Sequence, residues 1–212
     1  MLKRLFAKTL PSPFNFQLPD GLAVQVAVVS PAHAPRFVLG YEKLSEQSRR
    51  MRFFGQVSGL SSKQLAFLTK PDGRNHIAYA ALDLSMPEEP GAGVARCIRL
   101  DGDSKIAEVA ITILDAYQAR GVGLLLHACL HVAAHAVGVQ QFIYDVSAEN
   151  DRFIHHLQAL GARQVSRDRD VVRLMLPVCG SASKVKGEAA AARRFAEMLS
   201  SVAAAKPAVS VI

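Results

Sequence analysis

Apolar and polar residues alternate over LAVQVAVV, residues 22 to 29, which predicts a strand after the turn Pro19-Asp20-Gly21. The period lengthens across 34 to 54. Leu39, Leu44 and Met51 recur there at helical intervals, with Gly40 and Ser45 as expected interruptions. Ser61 and Gln64 have the spacing of a capping box and open another short helix. HIAYAALDL (76 to 84), VARCIRL (94 to 100) and KIAEVAITIL (105 to 114) predict three strands of a meander, with Asp101-Gly102 as the tight turn between the last two. A leucine-rich helix follows Gly121 and stops at Gly138. QFIYDV (141 to 146) predicts a strand, 150 to 160 a helix ended by Gly161, and 162 to 168 and 170 to 177 two last strands. No internal repeat interrupts this order.

The composition shifts from Ser181 onward to Ala, Ser and Lys. An Ala-rich helix near 188 to 203 carries Phe195, Met198, Leu199 and Val202 on one face. That face docks on the domain or on a second subunit, as in a homodimer; a solvated, partly formed helix is the alternative. The expected organisation is an N-terminal extension at 1–21, one α/β (α+β) domain at 22–178 and a C-terminal tail at 179–212.

Half of the 212 residues are hydrophobic and a fifth are charged, which suits one domain with a real core and excludes global disorder. The net charge of +7 points to anionic partners, such as nucleic acid, acidic membrane or phosphorylated small molecules. Much of the excess sits at the ends, however: Lys3, Arg4 and Lys8, then Lys184, Lys186, Arg193, Arg194 and Lys206. Three cysteines, 97, 129 and 179, fit free thiols in a reducing compartment. No apolar run reaches the roughly 18 residues of a membrane span, and the opening apolar stretch is too short for a secretory signal. The expected location is the cytoplasm, with no membrane partner.

Candidate chemistry centres on residues 110 to 130. A strand runs into Gln118-Ala119-Arg120-Gly121-Val122-Gly123 and then a helix. The first-turn N–H groups of a helix lack internal partners and carry partial positive charge. Glycines let an anion approach them, so this order makes a phosphate cradle. Leu124 after Gly123 departs from a Walker loop, and Leu126 departs from a dinucleotide fingerprint. A tight strand-to-helix turn with no ligand stays open. Glu108 is the only acid within 106 to 114, which suits either a base or a solvent-face acid. His127, His131 and His135 drift around their helix, and no acid or cysteine joins them at a fitting spacing, so no metal is expected. QSRRMRFF mixes basic and aromatic residues, but a helix packing Met51, Phe53 and Phe54 inward explains it better than nucleic-acid binding.

The residues Asp115 and Gln118-Ala119-Arg120-Gly121-Val122-Gly123 resemble the D-x-x-Q/R-x-x-G-x-G/A motif of the GNAT superfamily of acyl-CoA-dependent N-acyltransferases. FIYDVSAENDRFIHHLQALGA resembles that family's next block, and LSEQSRRMRFF and Ala107-Glu108-Val109-Ala110 resemble bacterial protein lysine acetyltransferases of the Pat type. The resemblance implies a mixed, mostly antiparallel sheet of about six to seven strands with helices on both faces. It implies that acetyl-CoA is the cosubstrate, with no metal. The backbone of Gln118, Ala119, Arg120, Gly121, Val122, Gly123 and Leu124 would grip the diphosphate, and Ile113 and Leu114 the pantetheine arm. Asn150 would stand near that arm, where the fourth and fifth strands splay. Glu108 would be the general base for a primary amine, a protein lysine in Pat-type enzymes. A small-molecule amine (polyamine or antibiotic-like) and a non-catalytic acyl-CoA sensor are the alternatives. The helix after Asn150 has His155 and His156 where many members have a Tyr, so the group protonating the leaving thiolate stays open.

Overall fold

The structure, a computed structural model, describes residues 10, 12–54, 59–100, 105–186 and 189–209. Its strands are β1 (Phe14–Gln17), β2 (Ala23–Val28), β3 (His76–Asp83), β4 (Gly93–Arg99), β5 (Ile106–Ile113), β6 (Gln141–Ser147), β7 (Arg163–Arg167) and β8 (Val171–Pro177). They form one sheet in the order β1-β2-β3-β4-β5-β6-β8-β7, antiparallel throughout except between β5 and β6. Eight strands are one more than the sequence pattern indicates. The addition is β1, which lies inside the segment expected to be an extension. Phe14 pairs with Val26, and Leu10, Phe14 and Leu18 are all buried in the core. The Asp101-Gly102 turn and Lys3, Arg4 and Lys8 lie outside the described residues.

Period-two alternation sorts the central strands onto two faces. Ile77, Tyr79 and Ala81 of β3, Ala95 and Cys97 of β4, and Ala107 and Val109 of β5 join one apolar cluster with α4 (Val122–Ala136). The alternate residues Ala80, Val94, Arg96, Ala110 and Thr112 meet α1 (Ala34–Lys43), α2 (Glu46–Phe53) and α3 (Ser62–Thr69) across a cavity. Because both faces are covered, β3 reads as a nearly unbroken apolar run.

The helix α4 is apolar almost all round because it is covered twice, by the sheet and by α6 (Ala190–Ala203). Phe195, Met198, Leu199 and Val202 of α6 are buried in the chain's own core. Each contributes about 1.5–3 kcal/mol of burial. Of the two docking surfaces left open by the sequence, the stripe therefore uses the domain. The break between α1 and α2 falls at Ser45 rather than Gly40, since the Ser45 side chain accepts the Ser48 N–H at 3.1 Å as an N-cap. Ser61 and Gln64 form the expected capping box at the start of α3.

Candidate active site

The sheet opens beside its one parallel seam. β5 and β6 pair only at Ile106–Gln141, Ala107–Phe142 and Glu108–Ile143. Beyond Glu108 the two strands part, while β4 holds β5 up to Ile113 and β8 holds β6 up to Ser147. The Leu114 N–H donates to Ala92 O at 3.0 Å, and Ile106 O accepts from Leu100 N–H at 3.0 Å. Even-numbered residues of β5 thus direct their backbone toward β4; the Val109 N–H closes the last bridge to β6, and the Val109 carbonyl, both groups of Ile111 and the Ile113 N–H face the opening. Of the two residues implied for the pantetheine arm, Ile113 faces the gap and Leu114 is committed to β4. The splayed pair is the fifth and sixth of the chain, because β1 adds a strand in front.

The loop that follows closes one end of this opening. Asp115–Tyr117 makes a single 3-10 turn, Gln118 is extended, and Ala119 and Gly121 take positive φ of 62° and 97°. These two left-handed residues turn the chain into α4, whose first-turn amides at Val122, Gly123 and Leu124 have no carbonyl four residues back within the helix. Gln118 Nε2 donates to Ile113 O at 3.3 Å, fastening the loop to the strand end. A Cβ on Gly121 would approach Leu18 Cδ2 at 3.2 Å, whereas one on Gly123 would make an ordinary 3.5 Å contact with Ile113. Arg120 is not free in the loop. Its Nε donates to Asp20 Oδ2 at 2.6 Å, and its guanidinium sits 5.8 Å from the Tyr117 ring centre. This bond is the main reason the Asp20 carboxyl titrates below its ordinary value. Tyr117 in turn donates its hydroxyl to Asp83 Oδ2 at 3.0 Å, so the turn is anchored to β3.

Glu108 is exposed at the last paired position before the strands part. Register carries it opposite Ile98, which stands opposite His76, and places Arg96 opposite Ala110 and Val94 opposite Thr112. Glu108 therefore shares a sheet face with Arg96 and Thr112, the face that lines the cavity. Arg52 reaches down from α2, its Nε donating to Thr112 Oγ1 at 3.1 Å. Burial lowers the Arg52 pKa while the charge of Glu108 opposes that shift. The inward residue of QSRRMRFF is thus Arg52 as much as Phe53, and Phe54, expected to pack inward, is exposed. Asn150 caps α5 (Asp151–Ala159), its Oδ1 accepting from Phe153 N–H at 3.2 Å just beyond the end of β6. His155 is exposed, and His156 is half-buried with its ring stacked on Phe153.

Two of the three α4 histidines serve the core instead, and His135 is exposed. His127 and His131 are buried, with His127 Nε2 2.6 Å from the Tyr144 hydroxyl and 3.2 Å from His131 Nε2. The Cys179 N–H donates to His131 Nδ1 at 3.0 Å, and burial holds His131 down to about 3. Gly180 lies against the His135 ring. Among the described residues no three His, Cys, Asp or Glu are grouped to hold a metal, and no helix is long and apolar enough to cross a membrane.

Sequence reasoning missed Asp20, Ser45, Ser48 and Arg96. The first three act through contacts 67 to 100 residues away, and a lone Arg in a strand looks like a solvent-face residue.

No protein-family model matches the chain. Acetyltransferase Pat of Mycolicibacterium smegmatis is 31% identical over 161 residues, which are 76% of this chain and 47% of that protein. The chain thus spans about half the length of the curated relative it matches. The crystal structure of the GNAT domain of S. lividans PAT superposes with a TM-score of 0.71 at 28% identity, covering 78% of this chain and 96% of that one. A cAMP-binding acyltransferase from Mycobacterium smegmatis matches with a TM-score of 0.58 at 25% identity, over 91% of this chain and 56% of that one. By these likenesses the chain has the GNAT fold and resembles the acetyltransferase domain of the Pat type.

Proposed function

We propose that the chain transfers an acetyl group from acetyl-CoA to a primary amine, with a protein lysine as the acceptor suggested by its Pat-type relatives. The observation that carries this reading is the coincidence of three features. The strands part immediately after Glu108, unpaired backbone of β5 faces the gap, and the N-terminus of α4 closes one end of it. In this reading the amides of residues 118 to 124 hold the diphosphate. The pantetheine arm adds to β5 through Val109, Ile111 and Ile113 as a further strand. Asn150 stands beside the arm but serves first as the cap of α5.

The chemistry asked of Glu108 is a proton transfer. A lysine ammonium must lose its proton before it attacks, which costs about 4–5 kcal/mol at neutral pH. Glu108 takes that proton, directly or through a water, as the nitrogen bonds to the thioester carbon. The C–S bond then breaks, the nitrogen loses its remaining extra proton, the coenzyme thiolate leaves and takes up a proton in exchange, and the amide product departs. A backbone N–H of β5 stabilises the oxyanion of the tetrahedral intermediate. Three buried free cysteines suit a reducing compartment, and the cytoplasm is the proposed location.

The test is free-thiol release from acetyl-CoA with a panel of proteins, peptides and small amines. Amine-dependent release supports the reading. Coenzyme binding with no transfer to any amine would favour an acyl-CoA sensor.

A further inference from the structure

The cavity beneath α1, α2 and α3 holds positive charge with no acid to match it. Arg96 turns into it from β4 with 4% of its surface exposed, and Arg52 turns into it from α2. Arg96 spends one nitrogen, Nη1, on the Leu68 carbonyl at 3.1 Å and on His76 Nε2 at 3.1 Å. Both partners are neutral acceptors, since burial pushes His76 down to about 4. Among the described residues no acid lines the cavity, and neither arginine is in an ion pair. Residues 55–58, which follow α2, are Gly-Gln-Val-Ser and add no acid. Glu108 attracts Arg52 from the rim but is not part of the wall. Burial, with repulsion from Arg52, brings Arg96 down to about 9.

A buried guanidinium beside a second, half-buried one is unfavourable unless an anion joins them. A carboxylate fits the guanidinium fork in charge and geometry. The remaining wall is largely apolar, with Phe37, Leu44, Phe53 and Leu68 in it, and the Phe37 ring centre is 5.6 Å from the Arg96 guanidinium carbon. We propose that this cavity binds an apolar carboxylate, its anionic end held by Arg96 and Arg52 and its hydrocarbon body against the aromatic and leucine side chains. The carboxylate belongs either to a small amine acceptor or to a free acid. The site itself does not depend on Glu108 acting as a base.

Calorimetric titration of the full chain with hexanoate and with hexanamide tests the site. Hexanoate is expected to bind one per chain, and hexanamide about tenfold more weakly or worse. Arg96→Met and Arg52→Gln should each abolish the preference for the acid. Thermal melts confirm that both variants stay folded, since Arg96→Met also removes the bonds to Leu68 and His76. Thiol release with leucine and with leucinamide identifies the source. Preferential acetylation of leucine assigns the carboxylate to the acceptor, and hexanoate binding without leucine turnover assigns it to a free acid. Equal binding of hexanoate and hexanamide, binding of neither, or a preserved preference in folded Arg96→Met overturns the proposal. Should the chain prefer hexanoate yet acetylate no amine at all, the acetyltransferase reading alone would fail.

Discussion

The Asp115 carboxylate accepts three hydrogen bonds from the start of α2: Ser45 N–H at 3.0 Å, Ser45 Oγ at 2.8 Å and Ser48 Oγ at 2.8 Å. It joins the end of β5 to the helix that carries Arg52, so one side chain sets the distance between the loop at 118–124 and the cavity roof. Asp115→Ala should lower stability by about 1–3 kcal/mol. It should also raise the KM for the amine more than that for acetyl-CoA, because α2 moves and the loop amides stay. Chemical denaturation and steady-state kinetics check the two parts. An unchanged amine KM would show that α2 needs no tether.

Glu108→Gln keeps the shape of the side chain and removes its basicity. Acetyl transfer should fall by about 10²–10⁴-fold at pH 7 while acetyl-CoA binding stays within about twofold. Thiol release and calorimetry measure the pair. A variant with nearly normal turnover would move the base elsewhere.

Gly121 and Gly123 belong to one motif but differ physically. At Gly121 the backbone is left-handed with φ of 97° and a Cβ would crowd Leu18, so Gly121→Ala should cost about 1 kcal/mol or more. Gly123 lies within the first turn of α4, and its Cβ would make an ordinary contact with Ile113. Gly123→Ala should therefore leave the melting temperature equal or slightly higher. Thermal melts of the two variants compare them, and equal losses would contradict the distinction.

Much of this architecture was legible because it is local. The loop from Gln118 announced itself by two glycines between a β-branched strand and a leucine run. The capping box at Ser61 and the break at Ser45 follow from side chains bonding backbone three residues away. β1 is easily passed over because the five residues between Pro13 and Pro19 make a short run, although Phe14, Phe16 and Leu18 alternate with polar residues. Phe14 and Phe16 become a strand only by pairing with Val26 and Val24. Arg96 was opaque for the same reason: its burial is created by α1 and α3, far off in sequence, closing over β4.

Several carboxylates stabilise the fold through bonds made only when ionised. Asp115 and Asp83 feel burial first, which raises them, but Ser45 and Ser48 at one and Ser85 and Tyr117 at the other outweigh it, and both titrate below the ordinary value. A depressed folded pKa means stability that is full above the unfolded pKa of about 4 and lost as pH falls through the folded value. The buried neutral histidines act earlier: with His76 held to about 4 and His131 to about 3, the unfolded chain takes up protons first, so stability should begin to decline below about pH 6.5 and fall further below about pH 4 as these carboxylates protonate. Denaturation midpoints over that range test the sign, and a midpoint that rises on acidification would refute it.

Phe195 joins α6 to the core, its ring 5.1 Å from His127 and 5.0 Å from His131, centre to centre. Phe195→Ala should cost about 3–5 kcal/mol, comparable to the total stability of many domains. Urea unfolding measures it. A loss below about 1 kcal/mol would mean that the C-terminal helix is dispensable to the core.

The most direct measurement is a crystal structure of the chain with acetyl-CoA. The account predicts the diphosphate on the backbone amides of residues 118 to 124, the arm along the free edge of β5, and the thioester within reach of the Glu108 carboxylate. A diphosphate bound elsewhere, or a thioester remote from Glu108, would contradict it.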